Sequence, residues 1–266
     1  MMMTESEAAN DNKNSVKQPF LHVSGTPIYF KENWDTGIGG GLWSTGAALA
    51  KYFDTAHAAE QLVWPMKKST TSFLELGSGN GLLSVCWMAM LISFLQTGNG
   101  EEESAYYPQR HKVVVTDTAE HLSLIRQTLA ANAHVVQDTQ FFDVHVQEHL
   151  WGVFEDDDGK NVQQQQQAID ANASSRLKPQ QTFDFIVGSD VAYRRELYEP
   201  LIASFLHFSH HDTVILLGCT MADTTPKFFD LLQRAGFVYR KLADQVLPDE
   251  YRGQQTFGIF VVQRRR

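Results

Sequence analysis

The stretch with the most chemical content is Phe73-Leu-Glu75-Leu-Gly77-Ser78-Gly79-Asn-Gly81, a short apolar run that ends in alternating glycines. Glycines at a strand end let the chain turn sharply and let a ligand approach the backbone. In open α/β sheets, ligands bind outside the carboxyl ends of the strands. The spacing narrows the choice of ligand. A dinucleotide loop of the form G-x-G-x-x-G needs a glycine at position 82, where Leu82 stands, and the Lys-Ser/Thr pair of a phosphate-binding P-loop is missing. The second feature is Val113-Val-Val-Thr-Asp117. An acid at the end of the second strand is placed to accept hydrogen bonds from ribose hydroxyls. An acid directly before a helix also suits the helix dipole, but the glycine loop upstream favours the ribose role. The third feature is Asp190-Val-Ala-Tyr193, an acid and a phenol just past the fourth strand, at the same carboxyl edge.

The elements that must hold these residues alternate in type. Apolar runs at 72–76, 112–116, 141–146, 183–188 and 213–218 have strand length. Helical patterns cover 44–53, 82–95, 120–132, 196–208 and 227–235, the second of them apolar nearly all round and so buried. Strands alternating with helices imply a parallel sheet covered on both faces. Runs at 237–242 and 256–262 have no helix between them and should pair antiparallel at one sheet edge. Ahead of these lies a β-hairpin around Ser24-Gly25-Thr26, then a glycine-rich loop, Gly37-Ile-Gly-Gly-Gly-Leu-Trp43. The expected fold is a doubly wound, mostly parallel seven-stranded Rossmann-like α/β sheet preceded by that hairpin. Residues 18–266 form one domain, 1–17 a polar disordered tail, and 97–111 and 155–181 surface insertions. The second insertion carries five consecutive glutamines and is low in complexity.

Composition removes several function classes. The 266 residues carry 22 Lys and Arg against 31 Asp and Glu, a formal charge of −9. A general nucleic-acid or anionic-membrane binder needs a basic footprint instead. The longest apolar run falls short of the roughly 20 residues of a membrane span, and the N-terminus lacks the apolar core of a signal peptide. The expectation is a cytoplasmic monomer with access to the nucleus and no membrane or nucleic-acid partner. Cys86 and Cys219 sit in apolar runs and read as buried small hydrophobes, and no Cys/His spacing suggests a metal site. The ten histidines show no ligand spacing, and His210-His211 fall in a loop before the fifth strand. The arginine runs 194–195 and 264–266 read as solvated surface.

Together these motifs resemble the class I, seven-β-strand S-adenosylmethionine-dependent methyltransferases. Within them the chain is similar to the methyltransferase-like protein-lysine methyltransferases, the group that includes the valosin-containing-protein lysine methyltransferase. The resemblance spans about residues 33–264, the two insertions aside. It rests on Gly39-Gly-Gly-Leu-Trp43, the 75–81 loop with Asp117, Leu150-Trp151-Gly152, Asp190-Val-Ala-Tyr193 and Glu250-Tyr-Arg252. It implies S-adenosyl-L-methionine as cofactor and a protein substrate, of ATPase or chaperone-like type. It assigns cofactor contacts to Trp43, Glu75, Gly77, Ser78, Gly79, Asp117, Trp151 and Ser189, with Trp43 covering the cofactor, Asp117 on the ribose and Trp151 at the adenine. Without the resemblance, Trp43 and Trp151 would read as core aromatics. Ser189 stands where the family usually has alanine. Ile38, and Cys219-Thr-Met-Ala-Asp223 after the fifth strand, also depart from the family pattern.

Asp190 and Tyr193 are the catalytic candidates. Methyl transfer to nitrogen is an in-line displacement by a neutral amine, so positioning and electrostatics supply most of the catalysis. A lysine amine, with a reference pKa near ~10.4, arrives protonated. Asp190 can accept a hydrogen bond from the incoming ammonium, and Tyr193 supplies an aromatic wall that stabilises a cation. The competing structural role is that Asp190 caps the helix following Arg194 while Tyr193 packs beneath it. Two other functions stay open from sequence: a methyltransferase acting on a small-molecule or nucleic-acid amine, and a non-catalytic binding module of the same fold.

Overall fold

The computed structural model describes residues 18–55, 70–96, 110–137, 141–154 and 181–266. The expected tail 1–17 and nearly all of both insertions lie outside the described residues.

The hairpin forms from β1 (Leu21–Val23) and β2 (Thr26–Ile28), paired antiparallel with Leu21 opposite Ile28. Ser24 and Gly25 both have positive φ, as a two-residue turn matched to strand twist requires. Val23 and Ile28 are fully buried in the main core, so the hairpin is part of the domain. Asn132 fastens it. Its Oδ1 accepts from Tyr29 N at 2.8 Å, and its Nδ2 donates to Tyr29 O at 2.5 Å.

The main sheet contains β3 (Ser72–Leu76), β4 (His111–Asp117), β5 (Phe142–Glu148), β6 (Phe183–Ser189), β7 (Ser209–Thr220), β8 (Phe237–Lys241) and β9 (Phe257–Arg264). Their spatial order is β5-β4-β3-β6-β7-β9-β8. Pairings from β5 through β7 are parallel, and β9 runs antiparallel to both β7 and β8. The expected antiparallel pair is therefore at the sheet edge. The chain moves outward from β3 through β4 to β5, then returns to β6 on the other side of β3. That reversal opens a crevice at the carboxyl ends of β3 and β6.

Side chains alternate between two cores, as period-2 strands demand. Phe73, Val113, Val115, Phe185 and Leu216 face the hairpin, α1 (Ser44–Phe53), α2 (Leu82–Gln96) and α3 (Leu122–Ala131). Leu74, Val114, Ile186, Ile215 and Leu217 face α4 (Tyr198–Phe208) and α5 (Pro226–Arg234). Every residue of α2 from Leu82 to Leu91 is buried. Phe73 stacks on Trp87 with centroids 4.5 Å apart. Burying such a side chain contributes about 1.5–3 kcal/mol, so β3 and α2 are held rigidly and the glycine loop between them has fixed ends.

Four details differ from the sequence expectations. The helix expected over 120–132 opens as a tight turn, Ala119–His121, before α3 begins, and the one expected from 196 opens with Arg195–Leu197 before α4. His210 and His211 lie inside β7 rather than before it. Phe183 pairs with Ser209, and the next register pair is Phe185 with Val214, so the histidines occupy an irregular bulge. Arg264 is not solvated surface, because its Nε donates to Ser209 Oγ at 2.9 Å and its guanidinium also donates to Leu206 O.

Candidate active site

The crevice at the strand reversal is a cavity of about 590 Å³. All the candidates from sequence line it: Trp43, Glu75, Gly77, Ser78, Gly79, Asp117, Trp151, Ser189, Asp190 and Tyr193. The Glu250-Tyr-Arg252 motif does not. Glu250 pairs instead with Lys51 on α1, and Arg252 Nε donates to Leu247 O.

The glycine loop forms the cavity's tight wall. Gly77, Gly79 and Gly81 have φ of +66°, +60° and +78°, the left-handed region in which a side chain is strained. Space is also short. A methyl group on Gly77 would sit 2.7 Å from the Trp151 ring, and one on Gly79 would sit 2.4 Å from Gly39 O. Trp151 and the 37–41 loop thus close on the glycine loop from two sides. Ser78 Oγ is buried without a partner among the described residues, which leaves a hydroxyl for a ligand.

Glu75 is the penultimate residue of β3 and is 1% exposed. Its Oε2 accepts from Ser84 N at 3.0 Å and from the Ser84 hydroxyl, which satisfies one of the free N–H groups opening α2. Burial pushes its carboxyl up to about 8, against the opposing pull of the Ser84 bonds. Glu75 therefore serves the helix start as well as lining the cavity.

Asp117 ends β4. Its Oδ2 accepts from Gly79 N at 2.7 Å, and its Oδ1 from Thr118 N at 2.7 Å. His121 Nδ1 also lies 2.7 Å from Oδ1. A carboxylate offers about four acceptor positions, so Oδ2 keeps capacity for a ribose hydroxyl. Of the two roles considered from sequence, the geometry shows the one at the helix start, since Asp117 anchors the turn that opens the next helix.

Asp190 has φ of +51°, a conformation Asp tolerates better than most residues. The sequence left it a capping role on the helix after Arg194, but its carboxylate turns elsewhere. Oδ2 accepts from Thr45 N at 3.2 Å, and Oδ1 accepts from Thr220 Oγ1 at 2.5 Å. Asp190 thus caps α1, whose own N-cap residue, Trp43, supplies no side-chain bond. Tyr193 does not pack beneath the following helix. It is half-buried on the cavity wall, with the Arg194 guanidinium 5.6 Å from its ring centroid. Trp43 is 43% exposed, donates Nε1–H to Ile38 O at 2.9 Å and meets Trp34 edge-on.

Several lining residues escaped the sequence reading. His121 meets Asp117, four residues upstream; that spacing on a helical turn was the available signal. His149 Nε2 lies 3.0 Å from Ser204 Oγ, the hydroxyl that also accepts from Gly152 N and donates to Pro200 O. Burial pushes His149 down to about 4, so this anchor of the Leu150-Trp151-Gly152 loop is neutral. Asp223 is exposed at the cavity, one turn from Thr220, and its carboxylate has no partner among the described residues. Apart from His121, the charged side chains that line the cavity among the described residues are carboxylates, those of Asp117, Glu120, Asp190 and Asp223. Such a wall favours cationic ligands.

A profile of the lysine methyltransferase family matches residues 23–235. The chain belongs to that family. One relative, the protein N-lysine methyltransferase METTL21A of Xenopus tropicalis, is 23% identical over 192 residues, 72% of this chain and 65% of that protein. The match thus spans just under two thirds of that relative's length. Similar solved structures include the glycopeptide N-methyltransferase MtfA, with 14% identity, 90% of this chain and 94% of that one covered, and a TM-score of 0.49. Another is the ribosomal protein L11 methylase of Lactobacillus delbrueckii subsp. bulgaricus, with 15% identity, 83% and 80% covered, and a TM-score of 0.47.

The lysine methyltransferase family uses S-adenosylmethionine, and the cavity fits that cofactor. Its amino-acid end needs close backbone and a polar contact, which Gly77, Gly79 and the Ser78 hydroxyl, unpartnered among the described residues, would supply. Its ribose needs an acceptor, which the free capacity of Asp117 would supply, and its adenine needs a flat apolar wall, which Trp151 would supply.

Proposed function

We propose that the protein transfers a methyl group from S-adenosylmethionine to a lysine ε-amine of a protein substrate. The observation that carries this reading is the acceptor end of the cavity. Asp190 is held by Thr45 and Thr220, Tyr193 and Asp223 line the same cavity, and no Lys or Arg among the described residues lines it. When bound, the cofactor supplies an activated methyl on a positively charged sulfonium. The chain's own residues receive and orient the amine. Each Asp190 oxygen accepts one protein bond and retains a second acceptor position, so the carboxylate can also take an N–H from the incoming ammonium. Tyr193 offers its ring face to the cation. Removal from water and the adjacent sulfonium charge lower the amine's pKa against the opposing pull of the Asp190 carboxylate, and the ammonium gives its proton to solvent before the neutral nitrogen attacks. Orientation then limits the rate.

The competing substrate, a nucleic-acid amine, would bring phosphates to a wall of carboxylates. The deciding experiment is transfer of labelled methyl from S-adenosylmethionine into cell extract, with mass-spectrometric identification of the product. Label on a protein lysine is the expected result. Label confined to small molecules or nucleic acid, or no turnover at all, would overturn the reading.

A further inference from the structure

His121 lies where three parts of the cofactor site meet. The ring is 6% exposed, on the turn directly after β4. Nδ1 is 2.7 Å from Asp117 Oδ1, and Nε2 is 2.9 Å from the backbone oxygen of Thr36. A carboxylate and a peptide carbonyl only accept, so both contacts are hydrogen bonds only when both ring nitrogens carry protons. A neutral ring would place a lone pair against one of these oxygens. Thr118 Oγ1, 3.2 Å from Nδ1, could donate to a neutral ring, but that would leave the closer Asp117 oxygen facing a bare nitrogen.

The Thr36 bond reaches into the 33–41 loop, from which Ile38, Gly39 and Gly41 line the cavity. That loop rests on the imidazole itself, since a methyl group on Gly39 would sit 2.6 Å from His121 Cε1. The carbonyl of Gly39 also abuts Gly79, whose N–H is bound by the other Asp117 oxygen. Loop, imidazole, ribose acid and glycine loop thus form one closed ring of contacts.

We propose that His121, in its doubly protonated form, is a positioning residue that clamps the 33–41 loop onto Asp117 and thereby sets affinity for the cofactor. The inference rests on Asp117 being the acid that receives the ribose. The groups facing the imidazole support its charge. They are the Asp117 carboxylate from β4, Glu120 from its own turn, and the Thr36 carbonyl and Gly39 backbone from the loop. The hydrogen bond to Asp117 raises the imidazole's pKa most. Burial opposes it, and the Asp117 charge, the Thr36 carbonyl and Glu120 add to the rise, leaving it above the ordinary 6.5. The sign follows. The clamp is complete below the ordinary imidazole range and loosens as pH rises through the elevated value, where one nitrogen loses its proton.

The test is calorimetric binding of S-adenosylmethionine from about pH 5.5, below the ordinary imidazole value, to about pH 9. The proteins compared are wild type, His121→Phe, His121→Gln and Asp117→Asn. At the acid end, His121→Phe should bind at least ~tenfold more weakly, the effect of losing a charge-assisted bond. That ratio should shrink toward the alkaline end as the wild-type ring deprotonates. His121→Gln keeps one donor and should fall between the two; it decides the matter if the Phe variant does not fold. In the unliganded protein, the His121 ring proton followed by NMR should titrate above the ordinary value. A smaller or pH-independent ratio overturns the clamp. If Asp117→Asn weakens binding while the His121 variants do not, the clamp alone fails. If Asp117→Asn binds like wild type, the ribose assignment and the clamp fail together.

Discussion

Asp190 carries two obligations in one carboxylate. It stabilises the start of α1 through Thr45 N and Thr220 Oγ1, and in the proposed function it also receives the acceptor amine. Substitution separates the two. Asn keeps the shape and is itself a good cap. Its oxygen can take the Thr45 N–H, and its amide can donate to the Thr220 hydroxyl, so Asp190→Asn should unfold within about 1 kcal/mol of wild type. What it loses is the charge that draws and orients an ammonium. Turnover should therefore drop by roughly 10²–10⁴, the range for one positioned electrostatic group, with cofactor affinity changing far less. Steady-state kinetics beside a thermal melt would decide the point. A well-folded Asp190→Asn enzyme with near-normal methyl transfer would take Asp190 out of the acceptor site and leave it a cap.

The junction of β3 with α2 shows how a strand end and a helix start are made into one unit. Leu82 to Leu91 bury on every side, so α2 cannot shift without opening the core. Its first turn is tied back to β3 by Glu75 accepting from Ser84. That acid is buried in a place that disfavours its charge, and its carboxyl rises from 4.5 to about 8. The consequence for stability has a definite sign. Between those values the folded chain holds a proton that the unfolded chain has released, so stability falls as pH rises through the window and levels off above it. Glu75→Gln has no proton to lose. Its melting temperature relative to wild type, measured without cofactor, should climb as pH increases from about 5 to about 8. A constant difference across that window would mean that Glu75 stays ionised in the fold.

At the scale of the molecule, the reversal of strand order beside β3 builds the site. β3, β4, β5 and β6 each end at the cavity, delivering Gly77, Asp117, Trp151 and Asp190 from segments far apart in the chain. Two cores, one on each sheet face, hold those strand ends in register. The 155–181 segment joins β5 to β6 and is low in complexity, so it should add no packing to either core. The entropy of closing a loop depends only weakly on its length. Deleting 158–178 should therefore leave the melting temperature and cofactor affinity nearly unchanged. A large fall in melting temperature would show that the segment packs against the domain. Among the described residues no helix is long and apolar enough to cross a membrane.

Local interactions were legible in the sequence. The hairpin turn at Ser24-Gly25, the buried helix opening at Leu82, the glycine loop and the acid closing β4 each depend on neighbours within a few residues. Their patterns survive without the fold. The extra antiparallel strand pair could be inferred as well, because two strand-length runs lacked a helix between them. What escaped were partnerships across long chain separations. Nothing near Asp190 announces that it will cap a helix 145 residues earlier. Nothing near Thr36 announces that its carbonyl will meet His121. Arg264, placed by composition on the surface, is drawn in by Ser209 and Leu206 because β9 inserts between β7 and β8. Residue types and short spacings determined which groups could bind a cofactor and an amine. Only packing decided which of them share partners, because hydrogen bonds between distant segments exist only after the cores bring those segments together.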